Sequence, residues 1–360
     1  MNSEKTVKEP LFHISKRAAL PFWQVWGIRA FAILIALIIS IILTYVVLGK
    51  GIGDFFGSLK NGNFGNTTIF WQFLKDTSLL LCISIAVAPA FKMKFWNIGA
   101  DGQALMGCVA AYFCKRTFEK MLPSPMLTLV CLVAAIAAGA IWAVIPAIFK
   151  AKWNTNETLF TLMMNYIAIQ IVMYLKAVWA QGTALVGIAS GNLEQFYMYL
   201  STVLIVTAIT VAMYFYLKHT KHGYEISVVG EGFNTAKYAG INIKKVIIRT
   251  LVLSGAICGL TGFLILCGQR IANGLTEDIV GGIGFTAIIV AWLAKFNPAY
   301  MSLTALFVVF IQRGASNLNS VNTAFGQIII GILFFFVIGC EFFLQYQIKM
   351  RKKNKGGETK

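Results

Sequence analysis

Residues 30–48 read AFAILIALIISIILTYVVL, an apolar run without a single charged side chain. A helix needs about 20 apolar residues to cross the roughly 30 Å hydrocarbon core of a bilayer. A run of this length and composition therefore predicts a transmembrane helix. The basic leader before it is long and no small-residue cleavage pattern follows Leu48, so we interpret the run as a retained anchor and not as a cleaved signal peptide.

The whole chain shares this apolar character. Of its 360 residues, 58% are hydrophobic and only 12% are charged, and the mean hydropathy is +0.73. Soluble domains carry about 45–50% apolar and about 25% charged residues. This composition excludes a soluble enzyme, a nucleic-acid-binding module and a disordered scaffold. The net charge of +17 is scattered between apolar runs, so we interpret it as a topology signal and not as a surface for nucleic acid.

Further apolar runs of suitable length follow along the chain. They predict an all-α integral membrane protein of about ten transmembrane helices, two of them broken or short. The runs cover residues 30–48, 77–91, 98–114, 126–149, 158–175, 197–217, 250–267, 279–294, 298–312 and 323–340.

The lysine and arginine residues predict the orientation of these helices. If both termini are cytoplasmic, most of the 31 lysine and arginine residues fall on the cytoplasmic side, as the positive-inside rule requires. We therefore divide the chain into a cytoplasmic basic segment (1–29), a polytopic membrane domain (30–345) and a cytoplasmic basic tail (346–360). The longest internal polar stretch, 218–245, then lies in the cytoplasm.

Two apolar runs contain clusters of glycine and polar residues. They are FWNIGADGQ at 95–103 and VGGIGF at 280–285. Glycine disfavours helix interiors, so both clusters predict unwound or half-length helices. Interrupted helices in corresponding positions of two halves of a chain point to a transport site. The candidate residues of a translocation path are Asn97, Asp101, Gln103, Asn165, Gly282, Gly284 and Phe285.

Two of these candidates have a second interpretation. A carboxylate near the bilayer centre costs roughly 2.5–3.5 kcal/mol and normally faces a cavity or a partner. Asp101 either lines such a cavity or lies at the cytoplasmic interface, paired with Lys92 or Lys94. Asn165 either lines the path or joins two helices through its amide, as polar residues inside membranes often do.

The cytoplasmic stretch 218–245 carries the signals of a short helix. Asn234 is a plausible N-cap, residues 235–239 form the helix, and Gly240 ends it. A compact helix with an exposed Tyr238 suits docking of another protein, and an ordinary ordered loop is the alternative. The two histidines in this stretch lack the neighbouring ligands of a metal site.

Several kinds of chemistry have no counterpart in the sequence. There is no GxxxxGK[ST] phosphate loop, no HExxH motif, no GxSxG motif and no CxxC pair among the seven cysteines. We predict no catalytic residue, no metal site and no cofactor in this chain. Active transport then draws its energy from another subunit or from an ion gradient. The second case, a self-contained secondary transporter or channel, needs coupling residues inside several helices, where only Asp101 and Glu341 qualify.

Several motifs, in this order, resemble those of bacterial ABC-transporter permeases of the nucleoside and simple-sugar group, a group related to the ribose and branched-chain amino-acid permeases. The resemblance covers roughly residues 20–345 and is weak at 181–194. One departure is Asp101, where the group usually has glutamate. The matching stretches are FWNIGADGQALMG at 95–107, NETLFTLMMNYI at 156–167, GYEISVVG at 223–230, AKYAGI at 236–241, SGAICGLTG at 254–262 and GGIGFTAIIVAWLA at 281–294.

The resemblance implies a multi-pass permease subunit of an importer in the bacterial plasma membrane, translocating a nucleoside or simple sugar. It implies a second permease subunit, more often a paralogue than an identical copy, and an extracytoplasmic substrate-binding lipoprotein. Membrane lipid is the remaining partner, and no nucleic acid is expected. It also implies separate ABC ATPase subunits that dock on the cytoplasmic stretch. The residues of that stretch expected to couple to the ATPase are Gly223, Tyr224, Glu225, Asn234, Tyr238 and Gly240.

Overall fold

A computed structural model of the chain describes residues 12–17, 21–179, 195–268, 275–318 and 324–350. The described part is helical apart from one pair of short strands, so the predicted all-α class is confirmed with a small addition. The strands are β1 (Phe12–Lys16) and β2 (Tyr346–Met350). The helices are α1 (Phe22–Leu48), α2 (Ile52–Phe64), α3 (Thr67–Lys92), α4 (Ala100–Phe118), α5 (Ser124–Trp153), α6 (Glu157–Trp179), α7 (Gln195–His219), α8 (Lys221–Glu231), α9 (Phe233–Tyr238), α10 (Ile243–Gly268), α11 (Ile283–Leu293), α12 (Pro298–Leu318) and α13 (Ala324–Gln345).

Each predicted apolar run coincides with one long or short helix of the described chain. Seven of the described helices are long and apolar enough to cross a membrane, namely α1, α3, α5, α6, α7, α10 and α13. Helix α11 has only 11 residues, α4 carries Asp101 and Lys115, and α12 contains Arg313. The chain is therefore a multi-pass membrane protein, while the predicted number of about ten crossings stays a prediction.

Local sequence signals set the helix boundaries. The side chain of Asn66 accepts a hydrogen bond from the Ile69 N–H at 2.8 Å and caps α3. Pro123 precedes α5, where a missing N–H costs nothing. Gly49 takes a left-handed conformation, with φ 66°, and ends α1. The predicted loop at 181–194, the first eleven residues and the tail at 351–360 lie outside the described residues.

The chain forms two compact units, and the first comprises residues 1–59 and 314–360. In this unit α1 packs against α13. A partly buried ion pair between Arg29 of α1 and Glu341 of α13 joins the two helices. The strands β1 and β2 pair in antiparallel fashion, with Ile14 opposite Ile348. The ribbon thus connects the chain before α1 with the chain after α13.

The second unit comprises residues 60–313, and α10 lies at its centre, packed against α3, α4 and α5. Small residues let these helices approach closely. A Cβ atom on Gly107 of α4 would lie 2.5 Å from the carbonyl oxygen of Gly259 on α10. Close backbone approach of this kind is typical of helix packing in lipid. Helix α3 is buried continuously from Thr77 to Phe91, so it forms the core of the unit together with α10.

Candidate functional site

The first predicted break lies between α3 and α4. Helix α3 ends at Lys92, and residues 93–99 are not helical. The Phe95 N–H donates to the carbonyl oxygen of Ala90 at 2.9 Å, and Lys94 has φ 60°. This bond and the left-handed residue define a Schellman motif, a common way to end a helix. The break therefore begins directly after Lys92, at Met93, before the glycines that predicted it.

The second predicted break lies immediately before α11. Gly281 and Gly282 have φ 60° and 72°, a conformation that glycine adopts without strain. The 11 residues of α11 extend about 16 Å, roughly half the hydrocarbon thickness. The helix ends like α3, with Lys295 at φ 50° and the Phe296 N–H bonded to the Ala291 carbonyl oxygen at 2.9 Å. The structure thus has a non-helical segment at each glycine cluster. The second is followed by a half-length helix, whereas α3 and α4, on either side of the first, have 26 and 19 residues.

The two breaks contact each other at both ends of α11. At its beginning, the Gly284 N–H donates a hydrogen bond to Asp101 Oδ1 at 2.7 Å. At its end, the rings of Trp96 and Trp292 lie 5.2 Å apart between centroids. Segment 96–101 therefore runs alongside α11 in the opposite direction. Two motifs that are far apart in the sequence form one structural site.

Asp101 has a backbone partner at this site and not a lysine. Its carboxylate is 6% exposed and bonds to Gly284. The ion pairs of the described residues do not include Asp101 with Lys92 or Lys94. The alternative in which Asp101 pairs with these lysines is therefore not the arrangement in the structure. The reason is that the carboxylate points toward α11, where backbone N–H groups at a helix start attract an anion.

Asn97 and Gln103 stabilise the non-helical segment. Asn97 Oδ1 accepts hydrogen bonds from the Gly99 N–H and from Gln103 Nε2, both at 3.1 Å. Asn97 Nδ2 donates to Ser254 Oγ of α10 at 3.3 Å. Backbone groups freed inside a membrane must be satisfied by protein or by a water-filled cavity. These amides supply such partners, and both side chains are fully buried.

Asn165 of α6 joins its helix to the start of α4. Its Oδ1 accepts from the Gly102 N–H, and its Nδ2 donates to the Ile98 carbonyl oxygen, each at 2.8 Å. One turn earlier on α6, Thr161 Oγ1 accepts from the Ile98 N–H at 3.2 Å. The Asn165 amide thus joins α6 to α4, which is the second of the two interpretations of this residue. It also satisfies a backbone N–H at the start of α4, as an N-cap side chain does.

The structure therefore divides the predicted path residues into two groups. One group is buried and consists of Asn97, Asp101, Gln103, Asn165 and Gly284. The other group is exposed and consists of Gly282 and Phe285. In this conformation the buried polar side chains hold two broken helices in place and do not line an open channel.

Sequence analysis missed two members of this network, Ser254 and Thr161. Both hydroxyls bond directly to the non-helical segment. Both residues lie in motif stretches of the sequence. Ser254 is the first residue of SGAICGLTG, and Thr161 precedes Asn165 by about one helical turn. Hydroxyl and amide groups one turn apart share a helix face, and that spacing was the available signal.

The stretch 218–245 contains two helices, α8 and α9, where one was predicted. Thr220 caps α8 by accepting from the Gly223 N–H at 3.2 Å. Asn234 is not the N-cap of α9, because the helix begins after Gly232 and Asn234 is already its second residue. This prediction was wrong because the N-cap residue is Gly232, whose backbone carbonyl accepts from the Ala236 N–H without any side-chain cap. The adjacent C-terminus of α8 ends at the same Gly232.

The end of α9 is as predicted. Gly240 has φ 72°, its N–H donates to the Lys237 carbonyl oxygen, and the Ile241 N–H donates to that of Ala236. These bonds form a Schellman motif in which glycine takes the left-handed position. The tyrosine beside it, Tyr238, is 93% exposed, and Tyr224 of α8 is 63% exposed. The two helices thus present aromatic side chains to the solvent.

Helix α8 also contacts the membrane helices. Gly230 lies against the backbone carbonyl of Lys92, leaving no room for a side chain. Glu225 and Arg249 of α10 form an ion pair at 2.8 Å. The hydrogen bond from Arg249 holds the pKa of the Glu225 carboxyl below its usual range. Helix α8 is therefore attached to α3 and α10 at defined points.

The two histidines of this stretch lie beside aromatic rings. His219 and His222 lie against aromatic rings, those of Phe215 at 5.7 Å and Tyr216 at 6.0 Å between centroids. Within the described ranges, no three His, Cys, Asp or Glu side chains are placed to hold a metal ion.

The chain is similar to several ABC transporter permease proteins. The chain is 27% identical to the glucose ABC transporter permease protein TsgB13 of Haloferax volcanii, over 96% of each chain. It is 29% identical to the guanosine ABC transporter permease protein NupP of Bacillus subtilis, over 89% of this chain and 96% of the relative. It is also 26% identical to the guanosine ABC transporter permease protein NupQ of the same organism, over 60% of this chain and 72% of the relative.

A broader family covers most of the membrane domain. Residues 69–338 match the family described as the permease component of branched-chain amino acid transport systems. The matched range includes both helix breaks, the buried amide network and helices α8 and α9. The chain therefore belongs to this family of membrane transport permeases.

Proposed function

We propose that this chain is the permease subunit of an ABC importer that moves a nucleoside or a simple sugar across a bacterial plasma membrane. The names of its relatives, which specify guanosine and glucose, support this substrate class. ATP is hydrolysed by separate subunits, since this chain has no phosphate-binding loop. Both termini, 1–29 and 346–360, are cytoplasmic, as the distribution of lysine and arginine favours.

The contact between Gly230 and Lys92 supports the proposed coupling between the ATPase and the membrane helices. Helices α8 and α9 form the docking element for the ATPase, with Tyr224 and Tyr238 exposed to a partner. Gly230 of α8 touches the last residue of α3, immediately before the first break. A displacement of α8 therefore acts directly on segment 93–99. The ATPase drives alternating access through this contact.

The depth of the site supports a role in translocation. With Lys94 and Lys295 on the cytoplasmic side, Trp292 lies near the cytoplasmic surface. Gly284 precedes Trp292 on α11 by about two helical turns, or ~12 Å. Asp101, bonded to Gly284, then lies close to the middle of the ~30 Å core. Transporters place their substrate sites at this depth between discontinuous helices.

The importer contains more than one kind of subunit. Two different permease proteins of Bacillus subtilis, both similar to this chain, carry the same guanosine designation. This supports pairing of the chain with a paralogous permease. An extracytoplasmic binding lipoprotein delivers the substrate, and lipid surrounds the apolar helices. We expect no cofactor in this chain and no nucleic-acid partner.

Uptake by a strain that lacks only this gene tests the proposal. We expect the strain to lose ATP-dependent uptake of labelled guanosine or of labelled glucose, and a plasmid copy to restore it. Purification of the tagged chain should co-purify an ATPase and a second permease. Unchanged uptake of nucleosides and sugars in the deletion strain would overturn the substrate class. Purification without any ATPase would overturn the importer.

A further inference from the structure

The carboxylate of Asp101 lies between the starts of two interrupted helices. Asp101 is the second residue of α4, and its bonded partner Gly284 is the second residue of α11. The start of a helix carries a partial positive charge, so both helices stabilise a negative side chain here. The arrangement depends on glycine, because a Cβ atom on Gly284 would lie 2.8 Å from the Asp101 carboxylate.

Among the described residues, one oxygen of this carboxylate has a hydrogen-bond donor at normal geometry. Asp101 Oδ1 accepts from Gly284, whereas Oδ2 makes no hydrogen bond of normal geometry among the described residues. The Phe285 N–H also faces the carboxylate, but it donates to the Gly282 carbonyl oxygen at 3.2 Å. An ionised carboxylate can accept about four hydrogen bonds. A buried acceptor without a donor is costly, so the site retains unused capacity for a donor group.

The other polar side chains of the two breaks have no such capacity. Asn97, Gln103 and Asn165 are each hydrogen-bonded to backbone or to one another. Their role is fully explained by the backbone groups they satisfy. Asp101 alone in this group combines deep burial with an unbonded oxygen.

The backbone next to Asp101 is irregular and exposed, an arrangement that lipid alone does not accommodate. Gly281 and Gly282 are exposed and non-helical. At membrane depth, irregular backbone occurs only where protein covers it or where it lines a water-filled cavity. The beginning of α11 therefore needs protein or water beside it, and not lipid.

From these observations we propose that Asp101 is a substrate-binding residue, and that its second oxygen accepts a hydrogen bond from a sugar hydroxyl. A sugar hydroxyl is the donor that nucleosides and simple sugars have in common. Hydrogen bonds to an ionised carboxylate are short and strong. One such bond can therefore select for the hydroxyl, and because it is a single contact the substrate can still leave. The proposal rests on the substrate class proposed above and assigns one residue to it.

Uptake of deoxygenated substrates tests this assignment. Cells that lack the gene receive the wild-type chain, Asp101→Asn or Asp101→Glu, at equal membrane levels. Uptake of guanosine is compared with that of 2′-deoxyguanosine and 3′-deoxyguanosine, and glucose with its 2-deoxy and 3-deoxy forms. The binding lipoprotein contributes its own preference equally in every strain, so only the change between variants reports on Asp101.

The ratio of parent-substrate uptake to deoxy-substrate uptake should be about tenfold higher in wild-type cells than in Asp101→Asn cells, for one of the deoxy forms. Asp101→Glu, which keeps the charge, should retain most of that preference. An equal loss of uptake for all forms in Asp101→Asn would overturn the assignment and leave the proposed function intact. Wild-type cells that take up neither guanosine nor glucose would overturn both.

A second variant covers the case in which Asp101→Asn fails to reach the membrane. Gly284→Ala places a methyl group against the carboxylate and should reduce the preference for the same hydroxyl. Gly282→Ala, where a Cβ atom has no neighbour within 4 Å, strains the backbone without touching Asp101. An equal effect of the two substitutions on hydroxyl preference would contradict the assignment.

Discussion

Gly230 of α8 lies directly against the backbone carbonyl of Lys92, the last residue of α3. Helices α8 and α3 thus meet without an intervening side chain, at the residue where α3 ends. Such a contact transmits displacement well, because closely packed backbone cannot absorb motion by changing rotamers.

Gly230→Ala should separate ATP hydrolysis from uptake. The added methyl group overlaps the Lys92 carbonyl, and overpacking of this kind costs about 1–3 kcal/mol. We expect the assembled complex to hydrolyse ATP while uptake falls several-fold. Gly232→Ala is the matched control, since its nearest atom would be Thr235 Oγ1 at 3.4 Å. Equal uptake by the two variants would refute the transmission role of Gly230.

Tyr238→Ala should weaken ATPase binding without affecting the fold. The side chain is 93% exposed, so its removal leaves the packing of the chain unchanged, whereas exposed aromatic residues are frequent anchors of interfaces. Co-purification of the ATPase should fall, and thermal stability of the isolated chain should not. Tyr174→Ala on α6, also exposed, is the control. If Tyr238→Ala retains the ATPase as well as Tyr174→Ala does, Tyr238 is not an anchor.

Asn165→Leu should destabilise the chain strongly. It leaves the Gly102 N–H and the Ile98 carbonyl without their side-chain partner, at about 1–3 kcal/mol for each buried group. Denaturation in detergent micelles measures the loss. Gln170→Leu changes an exposed amide of the same helix and should have little effect. Equal stability of the two variants would show that the Asn165 bonds do not hold α4.

The ion pair between Glu225 and Arg249 should make stability depend on pH. Because Arg249 lowers the pKa of Glu225 in the folded state, the pair stabilises the fold above the ordinary glutamate pKa of about 4.3. This contribution is lost as the pH falls through the lowered value. Glu225→Gln should therefore melt at a lower temperature than wild type at pH 7, with the difference closing below about pH 4.3.

The control for this pH dependence is Glu231→Gln, which removes an exposed carboxylate from the same helix. It should leave the melting temperature unchanged at pH 7. A difference between wild type and Glu225→Gln that stays constant down to pH 3 would show that the ion pair is not its source.

Composition and periodicity predicted most of the membrane fold, because a long apolar run has few alternatives to a transmembrane helix. Both helix breaks were predicted from glycine clusters. The exact start of the first break was not, because Lys94 takes a left-handed conformation that is uncommon for a residue with a side chain. Helix α8 was missed because its polar composition resembles that of a loop.

The candidate site was predictable as a set of residues but not as an arrangement. The sequence placed Asp101 and Gly284 in two separate motifs, and no local rule joins residues half a chain apart. The two interpretations of Asp101 and of Asn165 depended on orientation, which only tertiary packing decides. The N-cap at Asn234 failed for a related reason, since Gly232 starts α9 through its backbone.

The central claim is that this chain provides a pathway whose energy comes from a separate ATPase. Purified and reconstituted alone in liposomes, the chain should neither hydrolyse ATP nor concentrate guanosine or glucose under an imposed proton or sodium gradient. Addition of the ATPase, the second permease and the binding lipoprotein should produce ATP-dependent accumulation. Accumulation driven by an ion gradient in liposomes that contain only this chain would contradict the account.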